Sequence, residues 1–349
     1  MRKLLAALAL LACVVPAAAD GVGGQVIDGF VAPSLADFTR STDGLASSVK
    51  ALCEAPSDAA LTASHTAFSA ALEDWGHVSI LRFGPLAADG RFEKLFFWPD
   101  ARSIGQKQVQ GLLASGDAGE IASGMSGKSA ALQGFPALEF ALYGTGSEKL
   151  AAGDPWRCSV AAAISSNIAS IAASVAGDWA EGTPFAASFS APAEGKDPYR
   201  NEAEVQGEIV KALATALQFI RSAELSPPLG EEPARANGRR APMWRSDLTA
   251  PLIAAQADGV RRLLAAAGYE QSLPQDSRYV AASIRFELDN AIRTLGLVKG
   301  PAEQAFGAEP DRGRFAFAEL ALHHASELVT RDLAAALGLT MGFNALDGD

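Results

Sequence analysis

The residue of this chain best suited to chemistry is Glu139, set in the apolar run GFPALEFALYG (134–144). Leu138, Phe140, Ala141 and Leu142 surround it, so its carboxylate is expected to be partly buried, and a buried charge needs a partner. Arg82 in WGHVSILRFGPL (75–86), Arg102 in FFWPDAR (96–102) and Arg245 in RRAPMWRSDL (239–248) are the natural candidates. A carboxylate held by guanidinium groups can lock two helices together, bind a charged ligand, or act in catalysis, and the residues alone leave all three open. Pro136 stands three positions earlier, where a residue shares a helix face with Glu139. Proline has no ligand atom, but it suits the first turn of a helix, where its missing N–H costs nothing. The segment therefore reads as a helix that proline opens and that carries Glu139 in its first turns.

Trp98-Pro99 reads as a turn into a helix, with Asp100 placed to cap its N-terminus. Arg102 would then point from a first turn, where the helix dipole disfavours a cation, and is expected to answer a carboxylate or an anionic ligand. His77 follows Glu73 by four residues and Asp74 by three, a spacing that can hold a cation on one face. His323 and His324 precede Glu327 at the same kind of spacing, in an ordinary amphipathic helix whose solvated face accounts for them. His65 reads as a surface or satisfied core residue. No His-Glu-x-x-His zinc signature, Gly-x-Ser-x-Gly elbow or phosphate-cradling glycine loop is present.

These landmarks and the terminal GFNALDGD, taken in order, resemble the imelysin-like family. The resemblance spans essentially the whole mature chain. It implies an exported bacterial protein of two pseudo-related helical bundles with a functional cleft where they meet, linked to iron uptake and once described as a peptidase. The family signature Gly-x-His-x-x-Glu falls here on Gly134 and Glu139, with Pro136 in the histidine's place. The chain thus resembles the subgroup that lacks the histidine, which removes the imidazole that would share a metal with Glu139.

The elements that must position these residues are helical. Apolar residues recur at three and four in DAALTASHTAFSAALEDWGHVSILRF (58–83) and in five later stretches, each ending near Gly or Pro. The expected fold is all-α, two helical bundles packed side by side with a cleft between them. About 330 mature residues suit two domains. The weakly periodic TPFAASFSAPAEGKDPYR (183–200) supplies the boundary, giving bundles over 20–190 and 191–349. A second irregular patch covers 226–244.

Residues 1–19 read as a secretory signal peptide: Arg2 and Lys3, an apolar run, then Ala17, Ala18 and Ala19. A competing cleavage would leave Cys13 lipidated, making the protein a lipoprotein anchored at the outer membrane. Either way the chain is exported, with the periplasm as its expected location. A net charge of −11 without a basic cluster excludes nucleic acid as a partner. Cys53 and Cys158 survive processing and read as one disulfide in an oxidising compartment, two buried thiols being the other reading.

Together these observations favour a non-enzymatic binding protein associated with iron uptake. Arg82, Trp98, Arg102, Glu139 and Arg245 are expected to line its groove, which would take a small ligand or an iron-related cargo, or meet a partner protein of iron uptake. No cofactor and no resident metal are expected, with iron or zinc at His77 and Glu139 as the secondary candidate. The alternative is a metallopeptidase-like hydrolase, with Glu139 as general base or metal ligand and His77 supplying the imidazole.

Overall fold

The computed structural model describes residues 21–100 and 102–339. The leader with Cys13, and the terminal Asn344, Asp347 and Asp349, lie outside the described residues. The chain is all-α, with no strand among the described residues. Its longer helices are α1 (Ala32–Glu54), α2 (Asp58–Val78), α3 (Ile104–Ser115), α4 (Phe135–Tyr143), α5 (Pro155–Asp178), α6 (Glu202–Phe219), α7 (Thr249–Ala266), α8 (Arg278–Leu295) and α9 (Asp311–Glu327).

The starts of α2, α5 and α6 follow from side chains that accept otherwise orphaned N–H groups. Ser57 Oγ accepts from Ala60 N at α2, and Asn201 Oδ1 from Glu204 N at α6. Asp154 Oδ1 accepts from Trp156 N and Arg157 N at α5, which Pro155 opens. The expected run 58–83 is helical only to Val78, because Ser79 begins a turn that leads into Gly84 and Pro85. The weakly periodic stretch 183–200 is not wholly irregular. Pro184–Ser190 forms a short helix whose Phe185 and Phe189 pack edge-on against Trp179. Aromatic burial there outweighs poor periodicity.

Packing runs helix to helix in one connected series. α1 lies against α2 and α5, α2 against α7, α7 against α8, and α8 against α9, while α6 touches α7 and α9. The disulfide Cys53–Cys158 ties the end of α1 to the start of α5 across 105 residues of chain. By length and composition α5 could cross a membrane, yet it is packed against α1 with Ile164 and Ile168 fully buried. Where α2 crosses α7, small residues let the backbones approach. A Cβ on Gly76 would lie 2.5 Å from Ala255 Cβ, and one on Gly259 would lie 2.7 Å from His77 O. The core is aromatic around Trp75, which packs against Phe38, Phe92, Phe96 and Phe135.

Candidate functional site

Helix α4 is fixed at both ends before its glutamate is considered. At its start, a Cβ on Gly134 would fall 2.1 Å from Leu95 O, so only glycine allows the two backbones to meet there. Pro136 occupies the first turn, where it removes no helical hydrogen bond. At its end, the buried Arg157 donates from Nε to Ala141 O (2.8 Å), from Nη2 to Phe140 O (3.0 Å) and from Nη1 to Thr145 O (3.0 Å). Arg157 thereby satisfies carbonyls at and just beyond the helix C-terminus, Phe140 O also accepting from Gly144 N.

So held, α4 places Glu139 at 3% exposure against the turn 243–248. Its Oε1 accepts from the main-chain N–H of Arg245 and of Ser246, both at 3.0 Å, and from Ser246 Oγ at 2.9 Å. Its Oε2 faces Arg245 Nη1 at 3.9 Å. The turn can aim two successive N–H groups at one oxygen because Met243 (φ 54°) and Asp247 (φ 60°) adopt left-handed backbone on either side. Such conformations cost about 1–3 kcal/mol each for a residue with a side chain. Thr249 Oγ1 to Pro242 O (2.6 Å) and Ala302 N to Asp247 Oδ1 (2.9 Å) brace them. Burial raises the carboxyl group's pKa, opposed by the Ser246 N–H, the Arg245 charge and the other donors. Burial likewise lowers that of Arg245, against the pull of Glu139. The Arg245 guanidinium rests over the rings of Trp244 (4.4 Å) and Phe140 (5.1 Å).

Two cavities open on this arrangement. The inner one, about 80 Å³, is lined by Glu139, Pro136, Phe140, Arg245, Trp244 and Trp98 among others. The outer one, about 590 Å³, is lined by Trp98, Pro99, Phe219, Ala223, Pro227 and Arg240 among others. Trp98, Asp100, Ser103 and Arg239 form a wall common to both. Trp98 is tethered by its indole N–H to Ala223 O (3.2 Å), within the π-turn Ile220–Leu225.

The expected groove residues divide. Glu139, Arg245 and Trp98 come together at the inner cavity. Arg82 does not join them; its guanidinium lies between the rings of Phe92 (3.9 Å) and Phe219 (4.0 Å), beside a separate cavity of about 10 Å³. Near it the fully buried Glu224 accepts from Gln256 Nε2 (3.1 Å), and burial pushes its carboxyl pKa up to about 8 against Gln256 and Arg82. Arg102 is exposed and lines neither cavity. Asp100 caps α3 as its position suggested, accepting from Ile104 N (2.7 Å) and Gln106 N (3.2 Å).

His77 is also elsewhere, at the crossing of α2 and α7. Its Nε2 lies 3.3 Å from Asp258 Oδ2 and its Nδ1 3.9 Å from Asp74 Oδ1. Burial lowers its pKa, but the hydrogen bonds to Asp258 and Asp74 prevail and the net shift is upward. His65 stacks on Tyr143 at 4.0 Å and bonds Leu142 O. His323 pairs with Glu327 at 3.8 Å, whereas His324 faces Glu287 at 3.9 Å. Among the described residues no group of three or more His, Cys, Asp or Glu is placed to hold a metal ion.

Sequence reasoning missed Ser246, Arg157, Arg239, Arg240 and Glu224. The first four sit beside segments it singled out, in MWRSDL, next to Cys158 and in the RR that opens RRAPMW; Glu224 lies in a helix with no signal of its own.

Comparison with known proteins adds the family. Two solved structures share the fold. One is an imelysin-like protein from Psychrobacter arcticum, with 20% identity and a TM-score of 0.72, covering 92% of this chain and 96% of that one. The other is a putative iron-regulated protein A precursor from Parabacteroides distasonis, with 12% identity and a TM-score of 0.68, covering 88% and 93%. At these identities the likeness speaks to the fold alone. No curated protein matches. The sequence profile of the imelysin family matches residues 31–329, which takes in Gly134, Glu139 and the turn that grips it, and the chain belongs to that family.

Proposed function

We propose that this chain is an exported, non-enzymatic binding protein associated with iron uptake, which holds a small ligand in the cleft made by the two cavities that share Trp98. The leader at 1–19 and the precursor status of the Parabacteroides distasonis relative support export, with the periplasm as destination and a lipid anchor if Cys13 is the cleavage point. That relative's name, a putative iron-regulated protein, supports the iron connection.

The observation that carries a binding role over hydrolysis is the state of Glu139. Its Oε1 already accepts three hydrogen bonds and its Oε2 faces a guanidinium, so the group serves as a tether for the cleft floor. Pro136 offers no ligand atom beside it, and His77 is engaged by Asp258 and Asp74. Iron, in this reading, is cargo or context, reached through the ligand or through a partner protein. The two helical bundles meet at this seam.

The test is growth of the native host under iron limitation after deletion of the gene. Wild type restores growth, whereas Trp98→Ala, with an unchanged melting temperature, does not. Absence of any growth defect in the deletion, or full rescue by Trp98→Ala, rejects the reading. Peptide hydrolysis by the wild type that Glu139→Gln abolishes would install the hydrolase instead.

A further inference from the structure

The outer cavity carries an unspent positive charge in an acidic chain. Asp and Glu outnumber Lys and Arg by 40 to 29, so most guanidinium groups have carboxylates to meet. Around this cavity the polar groups are nearly all committed. Arg239 is bound to Glu303 through Nε (2.7 Å) and Nη2 (2.6 Å). Both carboxylate oxygens of Asp100 cap α3. Ser222 Oγ donates to Gln218 O (2.8 Å). The indole N–H of Trp98 is taken by Ala223 O, so what the ring offers a ligand is its face. Arg240 is different: it lines the cavity, and its guanidinium has no carboxylate, carbonyl or ring partner among the described residues. The walls beside it, Phe219, Pro99, Ala223 and Pro227, are apolar.

We propose that the outer cavity binds a small organic anion, with Arg240 as its counter-charge and the face of Trp98 as the platform for a flat apolar body. A volume of about 590 Å³ suits a ligand of that kind. Guanidinium is the side chain that pairs a carboxylate or phosphate through two parallel N–H groups, and Arg240 is exposed at the cavity, free to meet one there. The inner cavity, about 80 Å³ beside the shared Trp98 wall, is too small for such a body and is lined by the Glu139–Arg245 contact. This inference rests on the cleft being a binding site and adds the chemical class of what enters it.

The test uses the full mature chain and three probes of one shape and different charge: 2-naphthoate, 2-naphthylmethanol and 2-naphthylmethylammonium, titrated by calorimetry. Naphthoate should bind saturably and about 10-fold or more tighter than the alcohol, the gain of one charge-assisted contact. Arg240→Gln should bring naphthoate down to the affinity of the alcohol and leave the alcohol unchanged, while Trp98→Leu should weaken both. The proposal is overturned if naphthoate does not bind, if it binds no tighter than the alcohol, or if Arg240→Gln leaves the difference intact. Tightest binding by the ammonium probe, lost in Trp98→Leu, would overturn the anion class while leaving a ligand-binding cleft. Anion binding with no iron-limited growth defect would do the reverse, keeping the anion and removing the iron connection.

Discussion

Ser246 meets Glu139 twice, through its main-chain N–H at 3.0 Å and its hydroxyl at 2.9 Å, on the same carboxylate oxygen. The side chain of α4 is thereby clamped to a turn 107 residues further along the chain. Glu139→Ala leaves two main-chain donors and the Arg245 charge without their partner, and should cost about 3–5 kcal/mol. Ser246→Ala keeps both N–H bonds and should cost about 1 kcal/mol. Urea denaturation of the two variants checks the order; equal losses would contradict a main-chain clamp.

Gly134 should tolerate no side chain. Alanine there places a methyl 2.1 Å from Leu95 O, and about 1–3 kcal/mol should be lost as backbone shifts to clear it. Gly111, on the exposed side of α3 with nothing within 4 Å of an added Cβ, is the matched control. Alanine at that helix position should stabilise by about 0.5–1 kcal/mol. Thermal melts of the pair should therefore move in opposite directions.

The sequence reading found α4, its opening proline and the capping role of Asp100, because each follows from local rules of helix starts. It found the segment that answers Glu139 and named Arg245 within it. The nature of the answer lay elsewhere, since main-chain N–H groups leave no mark on residue type and nothing in Met243 or Asp247 announces left-handed backbone. Arg102 is expected in a helix's first turn, but α3 begins two residues later, at Ile104, which removes the dipole argument and leaves Arg102 exposed. Arg82 is a candidate partner of Glu139 by residue type, whereas its surroundings are set by Phe92 and Phe219, brought together only by tertiary packing.

Glu224 should make stability depend on pH. Its carboxyl pKa is raised from 4.5 to about 8, with burial as the main cause, so the folded protein keeps a proton that the unfolded chain releases. Stability from this group is complete below about 4.5 and declines as pH rises towards about 8. Glu224→Gln, still able to accept from Gln256, should flatten that decline. Chemical denaturation across the window gives the comparison, and parallel profiles for wild type and variant would refute the buried acid.

The disulfide closes a long loop. Replacing Cys53 and Cys158 together by alanine should cost about 2–5 kcal/mol, the usual range for loss of a native disulfide. Denaturant midpoints of the double variant and of wild type, with and without reductant, measure it. Reductant should leave the variant unmoved.

Zinc and ferrous iron should find no stoichiometric site at Glu139. The arrangement of three donors on Oε1 and a guanidinium near Oε2 opposes a cation there, and Pro136 adds no ligand. Calorimetric titration with each metal should give no one-to-one binding. A tight event that disappears in Glu139→Gln would reverse this expectation.

The glycine before α4 and the acid within it answer to different masters: one clears space for a passing carbonyl, the other is a peg in a socket of amide hydrogens. Neither task falls to position 136, where proline only opens the helix. Glycine and glutamate, five positions apart, thus serve one joint: the first lets α4 start against another backbone, the second pins it to a distant turn.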